Sequence, residues 1–267
     1  MRKRIAALSP TLRGMLWAVS GGISFSLLNA ILRGITLELD PFQTQFLRYF
    51  LGFVFFLPWL LLRGFAPYRP NNIPGQLWRG SVHTAGLFLW FAALPNIPLA
   101  DGTAFGFTIP MFVMLGAAIF LRERMVPARW MAALVALCGV AIVLTPKLDG
   151  GGGIYNIAML AAQPLFAASV LITKSLTRTD RAEVIVFWQA LMVSLLTLPL
   201  ALLHWAWPSP AQWIWFVLCA VLGTTGQYCN ARALGVADAS ATQSAKFLDL
   251  IWASLLGLAI FGDVPAE

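Results

Sequence analysis

Residues 244–257 read SAKFLDLIWASLLG, with a lysine and an aspartate three positions apart inside an apolar run. No other pair in the chain has a clearer capacity for chemistry. Lys246 could attract an anionic group, and Asp249 could bind a cationic group or take up a proton. On a helix, Thr242, Lys246, Asp249 and Ala253 fall on one stripe. The structural alternative is a locally neutral i, i+3 pair that ties helices together. A charge near the centre of a bilayer costs at least about 2.5 to 3.5 kcal/mol on insertion scales, and pairing recovers only part of that. Binding or coupling chemistry is therefore the favoured expectation. The two groups titrate as a pair, so sequence alone assigns neither a protonation state.

Arg48 is the other isolated cation in an apolar stretch, and its planar fork suits a carboxylate or phosphate. His83 could relay a proton, although a satisfied structural histidine is the more ordinary outcome. Smaller polar residues add a lining. Gly22, Ser26, Asn29 and Arg33 recur at i, i+4, i+7 and i+11, and Gly223, Gln227 and Asn230 share a face that we expect opposite His83, Leu87 and Trp90. Trp90, Phe107 and Trp252 could form an aromatic wall, but aromatic residues in such segments are more often packing. Catalytic signatures are missing: there is no His-Glu-x-x-His, no Gly-x-Ser-x-Gly and no Gly-x-x-x-x-Gly-Lys-Ser/Thr. Neither an enzyme nor an ATP-driven pump fits, and no cofactor or metal is called for. Cys138, Cys219 and Cys229 lack metal-ligand spacing and read as small hydrophobes.

What must position these groups is a membrane. Hydrophobic residues make up 59% of the 267 and charged residues 11%, about half the charged share of a soluble domain. A span needs about 20 apolar residues. Nine such stretches can be marked, near 14–36, 41–62, 78–98, 101–121, 128–146, 154–174, 183–203, 211–231 and 239–261. The basic start MRKR runs into a stretch of full spanning length, which argues against a cleaved signal peptide. With the N-terminus inside, all of the 18 Lys and Arg residues except Arg33, Arg48, Lys147 and Lys246 fall at cytoplasmic ends. That bias explains the net charge of +7 without nucleic acid.

The chain also repeats itself. ILRGITLELD at 31–40 overlies LITKSLTRTD at 171–180, and the same shift sets Ala93-Leu94 on Ala233-Leu234, Gly86 on Gly226 and Glu123 on Asp263. Five spans form the unit, so a second copy enters the membrane from the opposite side. We expect an all-α polytopic helix bundle of two inverted-topology five-helix repeats, with residues 1–149 first, a glycine linker at 150–153, and 154–267 second. Such halves can exchange conformations around a central site. Arg48 and His83 break the repeat, lying over Trp188 and Gly223. So do Lys246 and Asp249, whose first-half counterparts are Gly106 and Ile109. Asymmetry of this kind suggests chemistry that folding does not need.

These features resemble the drug/metabolite transporter superfamily, in particular its EamA-type ten-helix members. The likeness rests on the repeat, on Pro41 followed by FLRYFLG at 46–52, on LADGTAFGFTIPMFVMLGAAIFLRERM at 99–125, and on WASLLGLAIFGDVP at 252–265. It implies an integral membrane carrier of small metabolites with its site between the halves. It also offers a second role for Arg48, as a family-typical arginine that holds the second helix against carbonyls or an acidic neighbour. A tenth span, the counterpart of 128–146, is expected beyond Glu267, and the sequence reads as a fragment in that respect.

The functional expectation is an inner-membrane secondary carrier working by alternating access on a small charged or zwitterionic, amino-acid-like metabolite. Lys246, Asp249, Arg48, Asn29, Gln227, Asn230, Thr242, His83 and Trp90 are the candidate binding or coupling residues. Its partners would be that small molecule, the lipid bilayer and protons as a coupling ion, with no nucleic acid. The rival expectation is a non-transporting membrane sensor built on the same scaffold.

Overall fold

The computed structural model describes residues 9–93, 105–106, 108–123, 153–246 and 248, with isolated positions between 127 and 138. The described residues form helices joined by short turns, with no strand. They are α1 (Pro10–Thr36), α2 (Pro41–Val54), α3 (Leu57–Arg63), a 3₁₀ turn (Ala66–Tyr68), α4 (Ile73–Ala93), α5 (Ile109–Phe120), α6 (Gly153–Leu176), α7 (Ala182–Ala201), α8 (Pro210–Val236) and α9 (Ala239–Lys246). The expected fifth span and most of the ninth lie outside the described residues.

Several starts are dictated locally. A proline sits in the first turn, where it leaves no N–H unsatisfied, and a capping side chain precedes it. The Ser9 hydroxyl accepts from the Leu12 amide at 3.3 Å, and the Asp40 carboxylate accepts from the amides of Phe42 and Gln43 at 2.8 and 3.0 Å. At α8, Ser209 and Gln212 form a reciprocal capping box before Pro210.

The structure revises three of the expected boundaries. The stretch 41–62 is broken at Phe55-Phe56, because Pro58 cannot donate into the preceding turn and its ring crowds the carbonyl four residues back. The third span begins at Ile73, not 78, since its first turn is polar and amphipathic. The eighth runs on to Val236. Four units are long and apolar enough to cross a membrane: Pro10–Thr36, Pro41–Arg63, Gly153–Leu176 and Ala182–Ala201. Leu61, Leu62, Phe120 and Ile214 are exposed on the outside, as lipid-facing residues are.

Packing pairs the helices in a regular way. The helix α1 lies on α8 and α4 lies on α6; α2 packs on α7; α5 contacts α6, α9 contacts α1, and α5 meets α9. Exchanging α1 with α6, α2 with α7, α4 with α8 and α5 with α9 maps this set of neighbours onto itself. The α1/α8 seam is close. A Cβ added at Gly21 would lie 3.3 Å from the Gly226 carbonyl oxygen, and one added at Gly14 would lie 3.3 Å from that of Ala233. Small residues permit such an approach.

Candidate functional site

Three helices that meet near the middle of the bundle enclose a cleft. The helix α2 presents Arg48, Tyr49 and Gly52, α7 presents Gln189, and α8 presents Gly223 and Gln227, around a narrow cleft of about 10 Å³, room for about one water. On each helix these positions fall on one face. The aromatic residues lie just behind: Tyr49 and Ala190 belong both to the cleft wall and to a cluster with Leu87, Phe91 and Val193, against which Phe42, Trp90 and Phe166 pack.

Arg48 is buried, and its guanidinium carbon lies 4.7 Å from the centre of the Tyr49 ring. A Cβ added at Gly223 would stand 2.9 Å from its Nε and 3.1 Å from an Nη. The guanidinium fills the space that a side chain at position 223 would otherwise take. Among the described residues no carboxylate pairs with it, so its donors remain available to a substrate oxygen.

Tyr49 is tied down. Its hydroxyl and His83 Nε2 are 3.0 Å apart, with the ring proton placed by neither partner alone, and the His83 ring packs 5.4 Å from that of Phe166. One helical turn further along α4, Arg79 is buried, with Nε donating to the Thr173 hydroxyl and an Nη to the Ile185 carbonyl at 3.1 Å. In the sequence Arg79 reads only as a charge at a helix end; the structure gives it two partners inside the bundle. His83 likewise has a structural partner, and α4 packs chiefly on α6 and α7, not on α8. Gly223 and Gln227 instead meet α2, and Tyr49 with Arg48 lies where Leu87 and Trp90 were expected.

Sequence reasoning missed Gln189. Its side chain is 2% exposed, lines the cleft, and neither its Nε2 nor its Oε1 has a hydrogen-bond partner. A buried amide left in this state costs about 1 to 3 kcal/mol. The repeat shift held the signal, because it places Gln189 on Tyr49.

The other candidates are dispersed. Gln227 lines the cleft. Asn230 is buried, with Oδ1 unpartnered, and does not line it. Thr242 is buried and donates back to the Ala239 carbonyl at 2.8 Å. The Lys246 ammonium sits 5.2 Å from the Phe25 ring centre. Trp90 packs 6.2 Å from Phe166. Asn29 is exposed and is not brought to the cleft. Asp249, Phe107 and Trp252 lie outside the described residues.

At the end that carries most basic residues, side chains fasten helix termini. The Glu123 carboxylate accepts from the Ala239 amide at 2.8 Å and from the Ser240 amide and hydroxyl at 3.0 and 2.8 Å, capping α9. Lys174 Nζ donates to the carbonyls of Leu234 and Ala237 at 2.8 and 2.7 Å, closing α8. Asp180 accepts from the Asn71 amide at 2.7 Å and from Gln76 Nε2 at 2.8 Å, joining the start of α4 to the α6–α7 turn.

Known proteins share this design. A riboflavin transporter of Rhizobium johnstonii is 36% identical over 256 residues, covering 95% of this chain and 84% of that one. A riboflavin transporter of Vibrio cholerae is 30% identical over 263 residues, 95% of this chain and 87% of its own. An S-adenosylmethionine uptake transporter of Rickettsia prowazekii is 24% identical over 262 residues, 97% and 88% of the two chains. One solved crystal structure superposes with a TM-score of 0.81 at 19% identity, over 95% of this chain and 90% of that one, a likeness of fold. The model of the EamA-like transporter family matches twice, over residues 12–145 and 153–266. The chain is a multi-pass membrane protein of transporter type, not an enzyme, and it belongs to the EamA-like transporter family.

Proposed function

We propose that this protein is an inner-membrane secondary carrier, N-terminus inside, that moves riboflavin or a closely related flavin by alternating access of the α2/α7/α8 cleft. The observation that carries this is the cleft itself, a buried amide and a guanidinium in front of an aromatic cluster, in a chain 36% identical to a riboflavin transporter over nearly its whole length. A flavin has a flat apolar ring system with a polar edge, which those side chains suit, and a cleft of about 10 Å³ must widen to admit it, as alternating access provides. Two inverted repeats, divided at 150–153, would supply the two access states. The neighbour pattern that maps onto itself when the halves are exchanged supports them. The zwitterionic amino-acid-like substrate becomes the second choice. Arg48 favours its carboxylate, but no described acidic side chain lines the cleft to take its ammonium.

Purified protein in proteoliposomes should take up labelled riboflavin saturably and show counterflow with unlabelled riboflavin inside. Uptake should not be competed by amino acids or S-adenosylmethionine in tenfold excess. Competition by those compounds, with no riboflavin flux, would transfer the assignment to the amino-acid class. A correctly folded protein that moves none of them would favour the sensor alternative. An imposed pH gradient in the same vesicles tests proton coupling.

A further inference from the structure

We infer that Gln189 reads the imide edge of the substrate, making it the residue that selects a cyclic imide or lactam over look-alikes without the N–H. The inference rests on the flavin assignment above and adds to it the atom-level contact. A primary amide sets an N–H donor beside a carbonyl acceptor, with a second N–H to spare. In Gln189 both are buried and both lack a partner, in a wall shared with Arg48, Tyr49 and Gly223. The complement is an acceptor next to a donor, the carbonyl and N–H of a lactam or imide, which the pyrimidine ring of a flavin carries. Arg48 can then donate to the second carbonyl of the imide.

The broken repeat shows why this amide in particular is unmet. Its first-half counterpart, Tyr49, is satisfied by His83 at 3.0 Å. The position that corresponds to His83 in the second half is Gly223, which has no side chain to offer, and the room it leaves admits the Arg48 guanidinium. Where one half completes a hydrogen bond internally, the other leaves its polar group to an incoming molecule. Gln45 is also buried with both amide atoms unmet, but it does not line the cleft.

The test is uptake of riboflavin and of N3-methylriboflavin, which lacks the imide N–H, by the wild type, Gln189→Leu and Gln189→Asn. Correct folding is checked by size-exclusion chromatography. The wild type should prefer riboflavin at least tenfold in Vmax/KM. Gln189→Leu should abolish the preference by raising KM for riboflavin about tenfold while leaving the methylated compound unchanged, and Gln189→Asn should retain part of it. A merely structural glutamine would lower both fluxes in proportion and leave their ratio intact. Riboflavin flux with no preference in the wild type, or a preference that persists in Gln189→Leu, overturns the inference while sparing the flavin assignment. No riboflavin flux in folded wild type overturns both.

Discussion

Replacing Gly223 with alanine separates what the cleft does from what holds the bundle together. The added Cβ would lie 2.9 Å from Arg48 Nε and 3.1 Å from an Nη, against a comfortable separation of about 3.5 Å for such atoms. The guanidinium must then retreat by about 0.5 Å. It sits at the end of a flexible side chain, so the retreat is easy, and alanine is better than glycine in a helix by about 1 kcal/mol. Thermal stability in detergent should therefore change little. Transport should not escape so lightly, because a contact group displaced by 1 Å can cost about a hundredfold, and half that displacement corresponds to about tenfold in Vmax/KM. Gly14→Ala is the control. Its Cβ would overlap that of Ala237, just past the end of α8, and stand 3.3 Å from the Ala233 carbonyl oxygen, so it should lower stability and spare the KM of the protein that still folds. The assay is initial-rate uptake in proteoliposomes beside thermal unfolding followed by size-exclusion chromatography. If Gly223→Ala transports with unchanged KM and Vmax, Arg48 does not touch the substrate from the position described.

Other substitutions address the supports. Glu123→Gln keeps the shape but loses the charge at the start of α9 and one acceptor; it should shift the resting conformation toward opening at that end, read as faster cysteine labelling of an engineered Ala241→Cys, which is buried in α9, and unchanged labelling would show that the Glu123 cap does not hold that end closed. Arg79→Leu leaves the Thr173 hydroxyl and the Ile185 carbonyl without their donor and should cost about 2 to 4 kcal/mol of stability, whereas Arg79→Lys recovers part; a neutral Arg79→Leu in a thermal-unfolding assay would show that Arg79 is dispensable for packing.

The residues explain which parts of this structure were legible. The apolar stretches beginning near 14, 41 and 211 came close to the helix starts at Pro10, Pro41 and Pro210, where a capping side chain and a first-turn proline act through neighbours in sequence. The break at Phe55-Phe56 was hidden, since two phenylalanines continue an apolar run and only Pro58 gives a signal. Arg48 and Gln227 were singled out and do line one cleft. Gln189 breaks the repeat without a charge, and a neutral amide in an otherwise clean apolar span is a weak signal until its partners are counted. Arg79 shows the opposite failure. A cation near a helix end looks like an orientation signal, and nothing local reveals that Thr173 and a carbonyl of α7 surround it. Asn29 shares a stripe with other polar residues, yet a stripe does not say which neighbour covers it. The close α1/α8 seam depends on Gly14 and Gly21, and no spacing signal in the sequence says which helix they face.

Hydrogen bonds between the first and second halves fall unevenly along the bundle. At the basic end they link Asn71 and Gln76 to Asp180, Arg79 to Thr173 and Ile185, Trp188 to the Tyr68 carbonyl, and Glu123 to Ala239 and Ser240. At the other end, among the described residues, Gln43 pairs with the Ala206 backbone and Gln212 with Glu38. Several of the first group involve a carboxylate or a buried guanidinium, the stronger class of hydrogen bond. Under the proposed mechanism this is a state closed at the basic end, and opening there requires Glu123 and Asp180 to exchange protein donors for water. That exchange is nearly neutral only if the donors are rehydrated together, as helix termini at an interface can be, and not if they stay buried. The ends of α4 and α9 are thus the natural places for the bundle to part. Arg48, Gly223 and Gln189 are on three other helices, so they can stay assembled around a substrate while the end opens.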